Sequence, residues 1–194
     1  MMSLASTLDT MRAANRISNK VLFHWKIITL DGKPADLTCG IPVTPIGALN
    51  EDLTGDALFL IAGFNHQKYL TKKNQLLIKQ VSRNFKVVGG IEAGSWILAR
   101  CGLLNQKAAT THWEDQEEFA SQFPFVNLKP DRFVIDGTFF TTGRASSTFD
   151  FMLYLICTRY GFPLALAVFS PFIYAGVLSA TDPHPLVSIA RFAT

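Results

Sequence analysis

Phe85-Lys86-Val87-Val88-Gly89-Gly90-Ile91-Glu92-Ala93-Gly94-Ser95-Trp96-Ile97-Leu98-Ala99-Arg100-Cys101-Gly102-Leu103-Leu104 is the stretch on which the reading of this chain turns. Phe85 to Val88 is a short apolar run of the kind found in strands buried on both faces, and Ser95 to Leu104 spaces its apolar residues as a helix does. Between them stands Gly90-Ile91-Glu92-Ala93-Gly94, the G-x-Nu-x-G pattern of a nucleophile elbow. Small residues on either side permit a sharp turn that lifts the central side chain over the edge of a sheet. Enzymes built on this turn carry Ser or Cys at its centre, whereas this chain carries Glu92.

The alternation of strand and helix continues outward. Val21 to Leu30 is bulky and β-prone and is closed by Asp31-Gly32-Lys33-Pro34, so a strand is predicted there. Asp56 to Ala62 reads as a strand buried on both faces and ending at Gly63. Tyr69 to Val81 sets Leu70, Leu76, Leu77 and Val81 among lysines at helical spacing. Downstream, Ala108 to Thr111 reads as a strand and Glu114 to Phe123 as a helix with acids in its early turns. Arg132 to Ile135 and Thr138 to Thr142 read as a hairpin about Asp136-Gly137, and Ser146 to Arg159 as a helix. Such a succession predicts an α/β fold, a three-layer sandwich of a mostly parallel sheet with helices on both faces. Sites in these sheets lie beyond the carboxyl ends of the strands, which directs attention past Ala62, Val88 and Thr111.

Composition narrows the function classes. The chain has 194 residues, against roughly 150 per domain, and no repeat or linker, so a single domain is expected over 1–194. Eighteen basic against fifteen acidic residues leave a net charge of +3, too balanced to indicate nucleic-acid binding from charge alone. The basic run Lys68, Lys72, Lys73, Lys79, Arg83 and Lys86 has no interleaved aromatics and reads as a solvated helix face. With 48% apolar and 17% charged residues, the chain can bury a core, which excludes a disordered one. Cys39, Cys101 and Cys157 are scattered; they fit neither a disulfide framework nor a structural zinc site, and suit a reducing cytoplasm. No apolar leader runs through Met1 to Arg16. Tyr160 to Ala180 is uncharged, but Gly161, Pro163, Pro171 and Gly176 interrupt it, which favours a buried helix pair over a membrane span, with a break at Pro171.

The block Gly89 to Leu104, with Ala109-Thr110-Thr111-His112-Trp113-Glu114, Met11-Arg12-Ala13-Ala14-Asn15-Arg16, Phe123-Pro124 and Asp131, resembles the sensor domain of GlxA-like AraC-family transcriptional regulators. That domain belongs to the ThiJ/PfpI superfamily and has the flavodoxin-like fold of class I glutamine amidotransferases. Active members of the superfamily use an elbow Cys, a His on the following strand and an acid in the first loop. The resemblance places Glu92 at the Cys position, His112 at the His position, and the non-acidic Ser3 near the acid. Regulators that sense quaternary amines are similar to this chain in carrying an acid at the elbow, which implies that Glu92 is a fixed anion for a cation. Relatives also have an apolar strand ahead of the Met11–Arg16 helix and a DNA-reading helix-turn-helix segment after the domain; by that comparison neither is expected within residues 1–194.

A ligand site is therefore expected at Glu92, Ala93, Gly63, Phe64, Trp96, His112 and Trp113, the aromatics offering cation–π faces worth about 0.5–2 kcal/mol per contact. Neither a metal nor a cofactor is expected. Plainer roles compete: a structurally paired Glu92, a core His112, and Trp96 and Trp113 as packing. His66, after Gly63-Phe64-Asn65, reads as a surface histidine or a site residue, and Cys101 as an inert buried thiol. The resulting expectation is a non-enzymatic, homodimeric, effector-binding domain that reaches DNA only through another segment, with a membrane role disfavoured. Two alternatives stand beside it: a hydrolase or lyase using Glu92 and His112 as an acid–base pair, and a vestigial fold.

Overall fold

The fold is that of a computed structural model, which describes residues 1–172. Its helices are α1 (Met2–Ser18), α2 (Lys72–Ser82), α3 (Gly94–Arg100), α4 (Gln116–Gln122), α5 (Ala145–Tyr160) and α6 (Phe162–Phe169). The main sheet runs in the order β3 (Gly55–Ala62), β4 (Phe85–Glu92), β8 (Phe139–Thr142), β7 (Phe133–Asp136). β3, β4 and β8 are mutually parallel, and β7 returns antiparallel to β8. Two-residue pairings complete the strands: β1 (Ala35–Asp36) with β2 (Pro42–Val43), and β5 (Ala108–Ala109) with β6 (Asn127–Leu128).

Alternation along each strand builds the two cores. Leu58, Leu60, Val88 and Phe139 face a cluster with Ile78 and Val81 of α2, Trp96 and Leu98 of α3, and Phe119 of α4. Phe59, Ile61, Val87, Ile91 and Phe140 face the opposite cluster, with Met11 of α1 and Phe151 and Met152 of α5. The sheet is thus mostly parallel and covered by helices on both faces. The parallel strands end at Ala62, Glu92 and Thr142, all on one side of the molecule.

Several elements depart from the sequence reading. Val21 to Leu30 does not form a strand. Its first residues are tied to the end of α1, where the Asn15 side chain accepts from the Leu22 and Phe23 N–H groups (2.9 and 2.8 Å) and donates to the Phe23 carbonyl (2.7 Å). Among the described residues the rest meets a β-partner only around the Thr29–Ala48 bridge, too little to build a ladder. β3 is an edge strand among the described residues, exposed over Gly55 to Ala57 rather than buried on both faces. α3 stops at Arg100 because Gly102, at φ 70°, turns the chain away before Leu104. The Ala108 strand shortens to two residues, since the Thr110 N–H bonds the Thr141 hydroxyl (2.7 Å) rather than a backbone carbonyl. Tyr69 belongs to a 3-10 turn ahead of α2, and Glu114 to one ahead of α4.

The hairpin β7–β8 turns at Gly137 (φ 62°), and α5 lies where its spacing predicts. α5 and α6 pack together, with Pro163 in the first turn of α6, where it has no N–H to waste. Ala165 and Val168 are buried, yet Phe162 and Phe169 are exposed, so the pair is only partly covered. α6 ends at Phe169 and Pro171 lies in a following 3-10 turn; the remainder of the uncharged run lies outside the described residues. No helix among the described residues is long and apolar enough to cross a membrane.

Candidate functional site

Glu92 is the last residue of β4 and adopts φ 52°, the left-handed region that side chains seldom enter. The turn beyond it closes only because its flanking residues are glycine. A Cβ on Gly94 would lie 1.9 Å from the Leu60 carbonyl oxygen, and one on Gly90 would lie 2.7 Å from the Ser95 nitrogen. The Ser95 hydroxyl completes the turn, 2.9 Å from both the Glu92 carbonyl and the Thr111 hydroxyl. This is the elbow geometry that the G-x-Nu-x-G spacing predicts, with a half-buried carboxylate at its tip. The Glu92 carboxylate has neither an ion pair nor a hydrogen bond among the described residues. Backbone strain at a functional position is commonly held in place by such surrounding constraints.

That carboxylate opens into a cleft of about 280 Å³ at the ends of β3 and β4, lined by Gly63, Phe64, Asn65, His66, Gln67, Glu92, Ala93, Trp96, His112, Glu114, Asp115 and Glu118. Trp96 is buried (3% exposed) and packs edge-on against Phe119 and Phe123, so it is core first and reaches the cleft as part of its wall. Its indole N–H and the His66 Nε2 are buried without hydrogen-bond partners among the described residues, and the two rings are 5.9 Å apart. Burial pushes the His66 pKa down, opposed by its hydrogen bond with the Gly63 backbone; Arg100 lowers it and Asp115 raises it. Phe64 stands at the rim, 83% exposed. The His112 Nδ1 accepts the Glu114 N–H at 3.4 Å and lies 3.6 Å from the Glu114 carboxylate, an ion pair whenever the ring is protonated. His112 is not buried in the core, and among the described residues it bonds no backbone carbonyl.

Six of the seven residues expected from the sequence therefore line one cleft: Gly63, Phe64, Glu92, Ala93, Trp96 and His112. Trp113 does not. It is 57% exposed and lies under Arg144, whose guanidinium carbon is 5.5 Å from the ring, in a separate cleft. The sequence reading missed the acids. Glu114, Asp115 and Glu118 read as ordinary first-turn acids of a helix, but they join Glu92 so that the cleft carries four carboxylates and no Lys or Arg. The available signal was their spacing: Asp115 and Glu118 stand three apart, on one face of a helix start.

Nucleophilic chemistry finds little support around this cleft. Cys101 is at the far end of α3 and buried, with its thiol pushed up to about 11 by burial. Among the described residues no group of three His, Cys, Asp or Glu side chains is placed to hold a metal ion.

The family model of the DJ-1/PfpI family matches residues 6–158. The chain is 32% identical over 191 residues to the HTH-type transcriptional regulator CdhR of Pseudomonas aeruginosa, covering 98% of this chain and 56% of that protein. It is 30% identical to GbdR of the same species, covering 94% of this chain and 50% of the relative, and 28% identical to GlxA of Rhizobium meliloti, covering 100% and 60%. The chain thus spans about half the length of the curated relatives it matches. In fold it is similar to an AraC family transcriptional regulator from Pseudomonas putida (TM-score 0.73, 21% identity, 89% of this chain and 93% of that one). It is also similar to Drosophila melanogaster DJ-1beta (TM-score 0.70, 16% identity, 90% and 92%). An α/β sheet covered on both faces, an elbow closed by glycines, and a match over most of its length together show that the chain belongs to the DJ-1/PfpI family, as a GlxA-like domain homologous to part of HTH-type transcriptional regulators.

Proposed function

We propose that this domain is the effector-sensing, dimerising part of an AraC-family transcriptional regulator, that it is not an enzyme, and that its effector is a small cationic or amino-acid-like compound held at Glu92. The observation that carries the reading is the Glu92 carboxylate, unpaired among the described residues, in a cleft lined by three further acids, two histidines and neither Lys nor Arg. Such a cleft concentrates negative potential and favours cations over anions. Its volume, about 280 Å³, lies at the lower end of ligand pockets and suits a compound of few heavy atoms. Phe64 at the rim and Trp96 in the wall supply aromatic contact for a methylated ammonium, without the third face that Trp113 was expected to add.

The acid–base alternative has less behind it. No hydrogen bond joins Glu92 to His112, and the His112 Nδ1 is engaged by the Glu114 N–H. In this reading DNA is contacted by a helix-turn-helix segment of the kind for which the HTH-type relatives are named, and effector binding acts on it through the geometry of a homodimer. A shift assay with residues 1–194 alone is expected to show no sequence-dependent DNA binding.

Thermal unfolding with saturating betaine, dimethylglycine, carnitine, choline or arginine tests the site. A ligand at a hundred times its dissociation constant stabilises by about 2.7 kcal/mol. For a chain of this size that raises the midpoint by roughly 5–10 °C. The rise is expected with at least one cation and is lost in Glu92→Gln. A well-folded protein that none of the cations stabilises contradicts the cationic site.

A further inference from the structure

A second cleft, of about 170 Å³, opens on the other side of the Thr111–Trp113 segment, at the carboxyl end of β8. One wall is the start of α5, a 16-residue helix. Arg144, its N-cap, is extended and offers no side-chain cap, and the first N–H to find a helix carbonyl is that of Thr148, 2.9 Å from the Arg144 oxygen. The N–H groups of Ala145, Ser146 and Ser147 have no partner among the described residues. A helix start in this condition carries roughly half a positive elementary charge.

Two further observations point to a ligand. Ser147 lines the cleft and is only 3% exposed, and its hydroxyl forms no hydrogen bond among the described residues. That oxygen is not among the atoms sealed from solvent, and the cleft is the opening that Ser147 borders. A hydroxyl on a side chain so nearly buried, open only where it borders the cleft, is placed to donate to what the cleft holds. Arg144, stacked on Trp113, has no ion pair among the described residues; stacking holds the guanidinium plane and leaves its edge N–H groups free for a bidentate acceptor.

The charge count selects the anion. Arg132 is engaged by Asp150 at 2.5 Å, and Asp131 adds a carboxylate to the lining. Arg144 and the helix start remain, set against one negative side chain. That balance accommodates a single negative charge and opposes a phosphate dianion. We infer that this cleft binds the carboxylate group of a small organic acid, with the Arg144 guanidinium, the Ser147 hydroxyl and the free N–H groups of the first turn of α5 as donors. The inference does not depend on the reading of the Glu92 cleft.

Amide NMR shifts during titration of residues 1–194 with sodium acetate, at ionic strength held constant with sodium chloride, test it. A parallel titration uses inorganic phosphate. Saturable shifts are expected at Ala145, Ser146 and Ser147 with acetate, with affinity about tenfold weaker in Arg144→Gln and in Ser147→Ala. The Glu92 amide is expected to stay in place. Arg144 is exposed and Ser147→Ala removes one atom, and an unfolding midpoint for each variant verifies its fold. Shifts that do not saturate, that chloride reproduces, or that persist at equal affinity in both variants overturn the site. Saturation by phosphate at lower concentration than acetate overturns the carboxylate class.

Discussion

Thr111, His112 and Trp113 separate two clefts of opposite character. His112 faces the cleft with Glu92, Glu114, Asp115 and Glu118, while Thr111 and Trp113 face the one with Arg132, Arg144 and the free start of α5. Successive side chains of an extended segment point to opposite sides, so three neighbouring residues serve two chemistries. The common location comes from topology, since β3, β4 and β8 all end there. The sign of each cleft comes from the segment that borders it: an acidic 3-10 turn and α4 on one side, an arginine N-cap on the other.

The strongest way to break this comparison is to deny the elbow its close approach. Gly94→Ala drives a Cβ into the Leu60 carbonyl and is expected to destabilise by about 3 kcal/mol or more, read as a lower denaturation midpoint. Gly143→Ala would meet the Thr111 carbonyl at 2.6 Å, a milder approach than the 1.9 Å at Gly94, and is expected to destabilise less while disturbing both clefts. Glu92→Gln keeps the shape and removes the charge. Cation affinity should fall about ten- to a hundredfold, with stability changed by less than about 0.5 kcal/mol. Asp115→Asn with Glu118→Gln is expected to cost a few-fold in cation affinity and to flatten its salt dependence, as peripheral charges do.

The smallest effect is one of pH. The folded pKa of His66 lies below its unfolded value near 6.5, with burial the main cause. The unfolded chain therefore takes up a proton before the folded one. The contribution of His66 is complete above about pH 6.5 and is lost as pH falls from there to the lowered folded value. Urea unfolding between pH 5 and 8 should show this decline, shallower in His66→Gln.

The fold was legible because its decisive features are local. The elbow needs Gly90 and Gly94 within a few ångströms of other backbone atoms, and that requirement is written in the residues themselves. The β7–β8 hairpin and α5 were equally plain. Val21 to Leu30 misled because β-propensity measures fit to a sheet surface, and among the described residues this segment meets only a single bridge rather than a strand. In the site, Glu92 was legible from spacing and His112 only from the family resemblance; both line the cleft. The direction of Trp113 was not, because it depends on where the extended chain gives way to the 3-10 turn at Trp113–Asp115. The role of Asp115 and Glu118 was hidden for a related reason: a helix start accounts for acids whether or not they border a cleft.

The most direct test of the central claim is calorimetric titration of choline, betaine and arginine into the wild type and Glu92→Gln. Saturable heat with at least one cation, and an affinity at least about tenfold weaker in the variant, is the predicted result. Equal affinity in the two proteins, or no heat from any cation with a protein that unfolds cooperatively, would contradict it.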